Sequence, residues 1–210
     1  MCITAFDSLI VYFTNIFSNI LLYNYGKTKD CKVTALFLSF VGQMQIIDYL
    51  FWKNLECSSF NTKITQLGIV FNHLQPVVLI YLQNAFGLRI SKASLVMVVL
   101  YSVFAVFYSA ENFMNVKCTT LSLKNNVVFW QWNKEKYNPI MYSLFLASLL
   151  TSFGNFENKT FGYMMMFIGI STLIMGNLKP KLNESPGRMW CYYTAITPLL
   201  ILMISRKFNI

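Results

Sequence analysis

Long apolar runs separated by short polar breaks dominate the chain, and their lengths predict helices that cross a bilayer. A hydrocarbon core takes about 20 largely apolar helical residues per crossing. Seven stretches fit: 3–25, 33–52, 64–86, 93–113, 138–153, 160–176 and 189–205, the last two being short. Membrane strands would alternate apolar and polar positions, whereas Ala93-Ser-Leu-Val-Met-Val-Val-Leu100 does not. Helices also satisfy every backbone group within their own segment, as lipid demands. The pattern therefore predicts an all-α, seven-helix transmembrane bundle forming one domain over 1–210, with no room for a separate soluble domain. The first stretch has no positive charge ahead of it and no small-residue cleavage site behind it, so it reads as a retained helix rather than a secretory signal. No internal repeat or low-complexity tract interrupts the pattern.

Composition agrees with that reading. Hydrophobic residues make up 56% of the chain and charged ones 12%, against about 25% charged in ordinary soluble domains. Mean hydropathy is +0.49. These values exclude a soluble enzyme, a disordered tail and a disulfide-stapled secreted module.

The net charge of +9 invites a nucleic-acid partner. The basic residues, however, are scattered through loops instead of stacking on one face, so no nucleic acid is expected. Their better use is orientation. With the N-terminus outside, the inner loops hold Lys27, Lys29, Lys32, Arg89, Lys92, Lys159, Arg206 and Lys207. The outer ones hold Lys53, Lys63, Lys117, Lys124, Lys134, Lys136, Lys179, Lys181 and Arg188. The totals nearly balance, but four of the outer charges lie in the long connection 114–137, and short loops weigh more. An N-terminus outside or in a lumen is thereby favoured. Cys57 and Cys118 both fall in loops on that side, where an oxidising lumen permits a bridge; two unrelated thiols are the alternative. Glycosylation sequons stand at Asn183-Glu-Ser185 on that side and at Asn158-Lys-Thr160 on the other.

Amide and carboxylate side chains within a span are costly unless partnered, so candidate chemistry is sought there first. In the second span Gln45, Asp48 and Trp52 share one helical face. Asp48 lies four residues from the span end, about 6 Å deep at 1.5 Å per residue. Such a carboxylate either stays ionised by pairing or holds a proton. The ordinary alternative is a residue that reaches the interface and bonds its neighbours. In the third span Asn72, Gln75 and Gln83 share a face, and Pro76 displaces the Asn72 carbonyl four residues back. A polar notch of this kind holds ions or substrates in transporters; the competing role is interhelical hydrogen-bond glue, typically worth about 0.6 kcal/mol per contact. His73 points about 100° away from Asn72. It is the only histidine. Cys2, Cys191, His73 and Asp48 show no close ligand pair, so no metal or other cofactor is expected.

Alternating helices gather further residues at the membrane face where the first span begins. Cys2 and Cys191 fall there, with Asp48, Trp52, Glu111, Trp130, Trp132, Asn138, Arg188 and Trp190. An aromatic belt accounts for the tryptophans, but not for the acids, Arg188 and the two thiols. A half-open polar pocket at this end is the expected site.

Known seven-helix classes fit poorly. The last span has no lysine for a retinal Schiff base, Asn138-Pro-Ile-Met-Tyr142 opens the fifth span instead of closing the seventh, and Gln75-Pro76 reverses the exporter Pro-Gln order. One histidine cannot make a His-x-x-x-His site, and neither a phosphate loop nor a Gly-x-Ser-x-Gly elbow is present. Three marks do stand out: Met1-Cys2-Ile3-Thr4-Ala5; Gly42 followed by Gln45-Ile-Ile-Asp48-Tyr-Leu-Phe-Trp52; and Trp190-Cys191-Tyr192. In these the chain resembles an uncharacterised family of small multi-pass membrane proteins, with bacterial and large-DNA-virus members. That family carries Met-Cys-x-Ser-Ala, Gln-x-x-Glu-x-x-x-Trp and Trp-Cys at the corresponding places; Thr4 and Asp48 are conservative departures from it. The resemblance lends no activity, but it points to Cys2, Thr4, Gln45, Asp48, Trp52, Trp190 and Cys191.

Three functions follow as expectations. The first is binding or passage of a small molecule or ion, with Asp48 as charge or proton acceptor and Gln45, Asn72 and Gln75 as ligands. The second is an intramembrane enzyme acting on a lipid, with a Cys2 or Cys191 thiolate and Asp48 as base or orienter; no histidine base lies near either thiol in sequence. The third is a receptor-like or structural bundle in the lipid bilayer whose polar groups only lock helices.

Overall fold

The structure, a computed structural model, describes residues 4–115, 118–121, 128–130, 132, 138–178 and 194–208. Among these it is all-α apart from one short hairpin. Helix α1 spans Ala5–Tyr25, α2 Lys29–Lys53, α3 Ser59–Ala85 and α4 Lys92–Asn115. Strands β1 (Thr120–Leu121) and β2 (Val128–Phe129) pair antiparallel, Thr120 opposite Phe129. Then come α5 (Asn138–Phe153), α6 (Lys159–Leu178) and α7 (Thr197–Phe208).

The helices begin where a side chain can accept the first unsatisfied backbone N–H groups. Thr4 and Asp7 form a capping box on α1. Thr28 caps α2 and Ser58 caps α3. Ser91 Oγ accepts from Ser94 N at 3.1 Å, and Asn158 Oδ1 from Phe161 N at 3.1 Å.

Among the described residues four helices, α1 to α4, are long and apolar enough to cross a membrane. Their exposed faces are largely apolar. On α1 the exposed side is Phe6, Ile10, Phe13, Phe17 and Ile20, while Ser8, Asn15, Ser18 and Asn19 are buried. On α4, Val99, Val103, Val106 and Phe107 are exposed, and Ser94, Tyr101, Tyr108 and Asn112 are buried. A helix in water turns its apolar stripe inward; on α1 and α4 much of it is turned outward. The most enclosed helix is α2, which packs against α1, α3 and α7. Its Val33, Phe37, Val41, Met44, Ile47 and Phe51 form the centre of the core.

The final apolar stretch differs from its sequence reading. Residues 189–193 lie outside the described part, Thr194–Ile196 form a turn, and α7 begins only at Thr197. Pro198 explains the start: it lacks an N–H, and its ring clashes with the carbonyl four residues back, at Thr194. That carbonyl accepts Asn15 Nδ2 at 3.0 Å instead, and the next one, Ala195 O, accepts Ser18 Oγ at 2.8 Å. The turn before α7 thus lies at the level of the middle of α1.

Candidate functional site

At the end of the bundle where α1 begins, the connection after α4 folds back onto the helices. Its first anchor is covalent, a disulfide joining Cys57, before α3, to Cys118. Beside it, Asn61 satisfies several backbone groups at once. Its Nδ2 donates to Asn54 O (2.6 Å) and Thr119 O (2.9 Å), and its Oδ1 accepts from Thr119 N (2.8 Å). Thr65 Oγ1 meets Thr119 Oγ1 at 2.9 Å.

The second anchor is aromatic. Trp130 and Trp132 stack with ring centroids 5.0 Å apart, and both are fully buried. Trp130 Nε1 donates to Asp48 Oδ1 at 3.0 Å. Trp132 lies over Gly68: a Cβ there would stand 2.8 Å from its ring, so only glycine admits the indole. Tyr108 Oη of α4 donates to Trp132 O at 2.5 Å.

Asp48 is thereby enclosed, only 1% exposed, although it lies less than two turns from the end of α2. A carboxylate at such a place must be held by partners or protonated. Gln45, one turn away on the same face, is equally buried, and Trp52 is half-buried. Of the remaining candidates, Thr4 is engaged as the cap of α1. Glu111 is exposed in the last turns of α4. Cys2, Arg188, Trp190 and Cys191 lie outside the described residues. Among the described residues no three His, Cys, Asp or Glu side chains gather closely enough to hold a metal ion.

The third helix carries a second feature. Asn61, Thr65, Gly68, Asn72, Gln75, Leu79 and Gln83 recur every three or four residues, and all are buried. At 100° per residue they fall within an arc of about 80°. Six of the seven are polar or glycine. Ile47 of α2 packs at Gly68, and Trp132, which lies over Gly68, stacks on the Trp130 that donates to Asp48, so Asp48 is tied to this stripe through the two indoles. Asn72 Nδ2 approaches Tyr142 Oη at 3.5 Å. At the far end Gln83 Nε2 donates to Ser152 O (2.8 Å), and Asn155 Nδ2 donates to Gln83 Oε1 and Ser94 Oγ (both 3.0 Å). His73 is turned toward α4: Tyr101 Oη donates to its carbonyl at 2.9 Å and meets Nδ1 at 3.2 Å. The other ring nitrogen, Nε2, is buried with no partner among the described residues.

Sequence reasoning found Asp48, Gln45, Asn72, Gln75 and Gln83 because each interrupts an apolar run. It placed Trp130 and Trp132 at the same end but assigned them to an aromatic belt, not to Asp48. It missed Asn61 and Thr65, which stand near a helix start where polar residues are ordinary.

Fold and site define an all-α helical bundle with apolar helices of membrane-crossing length and a carboxylate sealed inside it. No protein-family model, curated protein or solved structure matches the chain.

Proposed function

We propose that the chain is a multi-pass membrane protein that binds or passes a small polar species or ion along the buried face of α3, with Asp48 as its charged or proton-accepting group. The observation that carries this reading is the polar stripe from Asn61 to Gln83. At 1.5 Å per residue it is about 33 Å long, against a hydrocarbon core of about 30 Å. The turn Thr194–Ile196 supports it, because backbone that leaves the helix inside a membrane bundle is tolerated only where protein or a cavity surrounds it. The resemblance at Gln45, Asp48 and Trp52 points to the same residues.

A proton is the smallest species such a path could serve, and Asp48 is its natural carrier. Purified protein in liposomes holding a pH-sensitive dye is expected to pass protons under a potassium-diffusion potential. Asp48→Asn reduces the flux to that of protein-free liposomes, while Asp48→Glu retains part of it. Equal flux from wild type and Asp48→Asn would remove the carboxylate from the mechanism. The closed hydrogen-bonded set Gln83–Ser94–Ser152–Asn155 favours a second reading, in which the stripe is interhelical glue. In that case Asp48→Asn changes stability and no flux is seen from any variant. The lipid-enzyme reading keeps Asp48 and depends on Cys2 or Cys191; rapid labelling of either thiol by a membrane-impermeant reagent would favour it.

For orientation we propose that the end bearing the Cys57–Cys118 disulfide faces the outside or a lumen, since such bonds persist in oxidising compartments. Expressed in a glycosylating host, the chain is expected to carry glycan at Asn183 and none at Asn158. Modification of Asn158 would invert the topology.

A further inference from the structure

The opposite end of the bundle is built from three short turns. They are residues 26–28 between α1 and α2, 86–91 between α3 and α4, and 154–158 between α5 and α6. These turns are tied together. Asp30, only 1% exposed, accepts from Glu157 N (3.2 Å) and Asn158 N (2.9 Å). Ser91 N donates to Asn155 Oδ1 at 3.0 Å. Lys29 pairs with Glu157 at 3.7 Å, and its ammonium lies 3.9 Å from where a Cβ on Gly87 would stand. Lys159 Nζ donates to Gly154 O and Phe156 O at 2.8 and 3.0 Å.

Among the described residues the charges differ between the two ends. On this one Lys27, Lys29, Arg89, Lys92 and Lys159 are exposed and Lys32 is half-buried; the acids are Glu157 and the enclosed Asp30. At the other, the described charges outside the core are Lys53 and Lys63 against Asp7, Glu56 and Glu111. Tyr23, Tyr25 and Tyr81 stand exposed in the last turns of α1 and α3, next to the basic end. Exposed tyrosines of this kind mark the headgroup level of a bilayer, and they set the cations at the depth of lipid phosphates. Lys32 Nζ lies 5.9 Å from the Tyr23 ring centre, holding one charge at that level.

We propose that this end is a docking platform for anionic phospholipid headgroups, whose phosphates are held by Lys27, Lys29, Arg89, Lys92 and Lys159. The platform rests on the reading of the chain as membrane-spanning. Its basis is charge complementarity on a preorganised surface: the turns are braced by Asp30, Asn155 and Lys29, so ordering the backbone adds no cost on binding. Each cation near an anionic surface contributes about a fivefold preference.

The test uses the full chain purified in a neutral detergent, with thermal unfolding followed as phosphatidylglycerol, phosphatidylcholine or inorganic phosphate is added. Phosphatidylglycerol is expected to raise the unfolding temperature, with no rise from the other two. In Lys29→Gln/Arg89→Gln/Lys92→Gln the lipid concentration giving half the effect rises by about a hundredfold, at a fivefold factor per cation. Lys29→Arg/Lys92→Arg keeps the preference, and Lys53→Gln/Lys63→Gln at the other end leaves it unchanged. Equal stabilisation by both lipids, an unaltered triple variant, or stabilisation by phosphate alone each overturns the platform. Carbonate washing of host membranes separates the two ideas: release of the chain would refute membrane insertion and the platform together, whereas retention without lipid preference refutes the platform only.

Discussion

Trp130→Ala is expected to lower stability by about 4 kcal/mol, the range for removing a large buried aromatic side chain. Trp130 is fully buried, it stacks on Trp132, and its Nε1 donates to a carboxylate that is itself enclosed. Truncation therefore removes apolar area, one stacking partner and the indole donor to Asp48. Trp130→Phe separates these contributions in part: it keeps one aromatic ring and loses the pyrrole ring with its N–H, at a cost of about 2 kcal/mol for the hydrogen bond if Asp48 is ionised, plus the lost packing. Combined with Asp48→Asn it forms a double-mutant cycle. The measurement is reversible unfolding in mixed micelles with increasing denaturing detergent. If Trp130→Ala unfolds at the wild-type midpoint, the aromatic anchor does not bind this end of the bundle.

The same pair shows what was legible beforehand. The first four spans can be read from their apolar runs because a membrane helix must be apolar over most of its length, and α1 to α4 fall within a few residues of those limits. Asp48 was legible for a related reason: a carboxylate in such a run is expensive and so conspicuous. What closes over it was not. Trp130 lies 82 residues away in a polar connection, and no local periodicity reports a contact between elements so distant in sequence. Cys57 and Cys118 face a similar limit, since two thiols in loops on one side are compatible with a bridge and do not require it. The late start of α7 depends on Pro198 together with Asn15 and Ser18, three residues brought together only by the packing of α1 against α7.

Gly42→Leu is expected to abolish the folded bundle, and Gly42→Ala to destabilise it by about 3 kcal/mol, the upper range for overpacking a tight interface. A Cβ on Gly42 would stand 2.1 Å from Asn15 Oδ1 and 2.6 Å from its Cγ, so α1 and α2 meet closely enough that only glycine fits. Small residues allow this approach between membrane helices, where packing replaces the hydrophobic drive. The clash is with the end of a side chain, which elsewhere could swing aside. Here Asn15 is fully buried, and its Nδ2 holds the Thr194 carbonyl that precedes α7. Moving it leaves that carbonyl unsatisfied, at a further cost of about 1–3 kcal/mol. The two losses are coupled, so Asn15→Ala should relieve the clash in Gly42→Ala while keeping the defect at Thr194. The double variant is then less stable than Asn15→Ala by well under 1 kcal/mol, and the same detergent titration reads it. A Gly42→Ala protein as stable as wild type would show that α1 and α2 have room to separate.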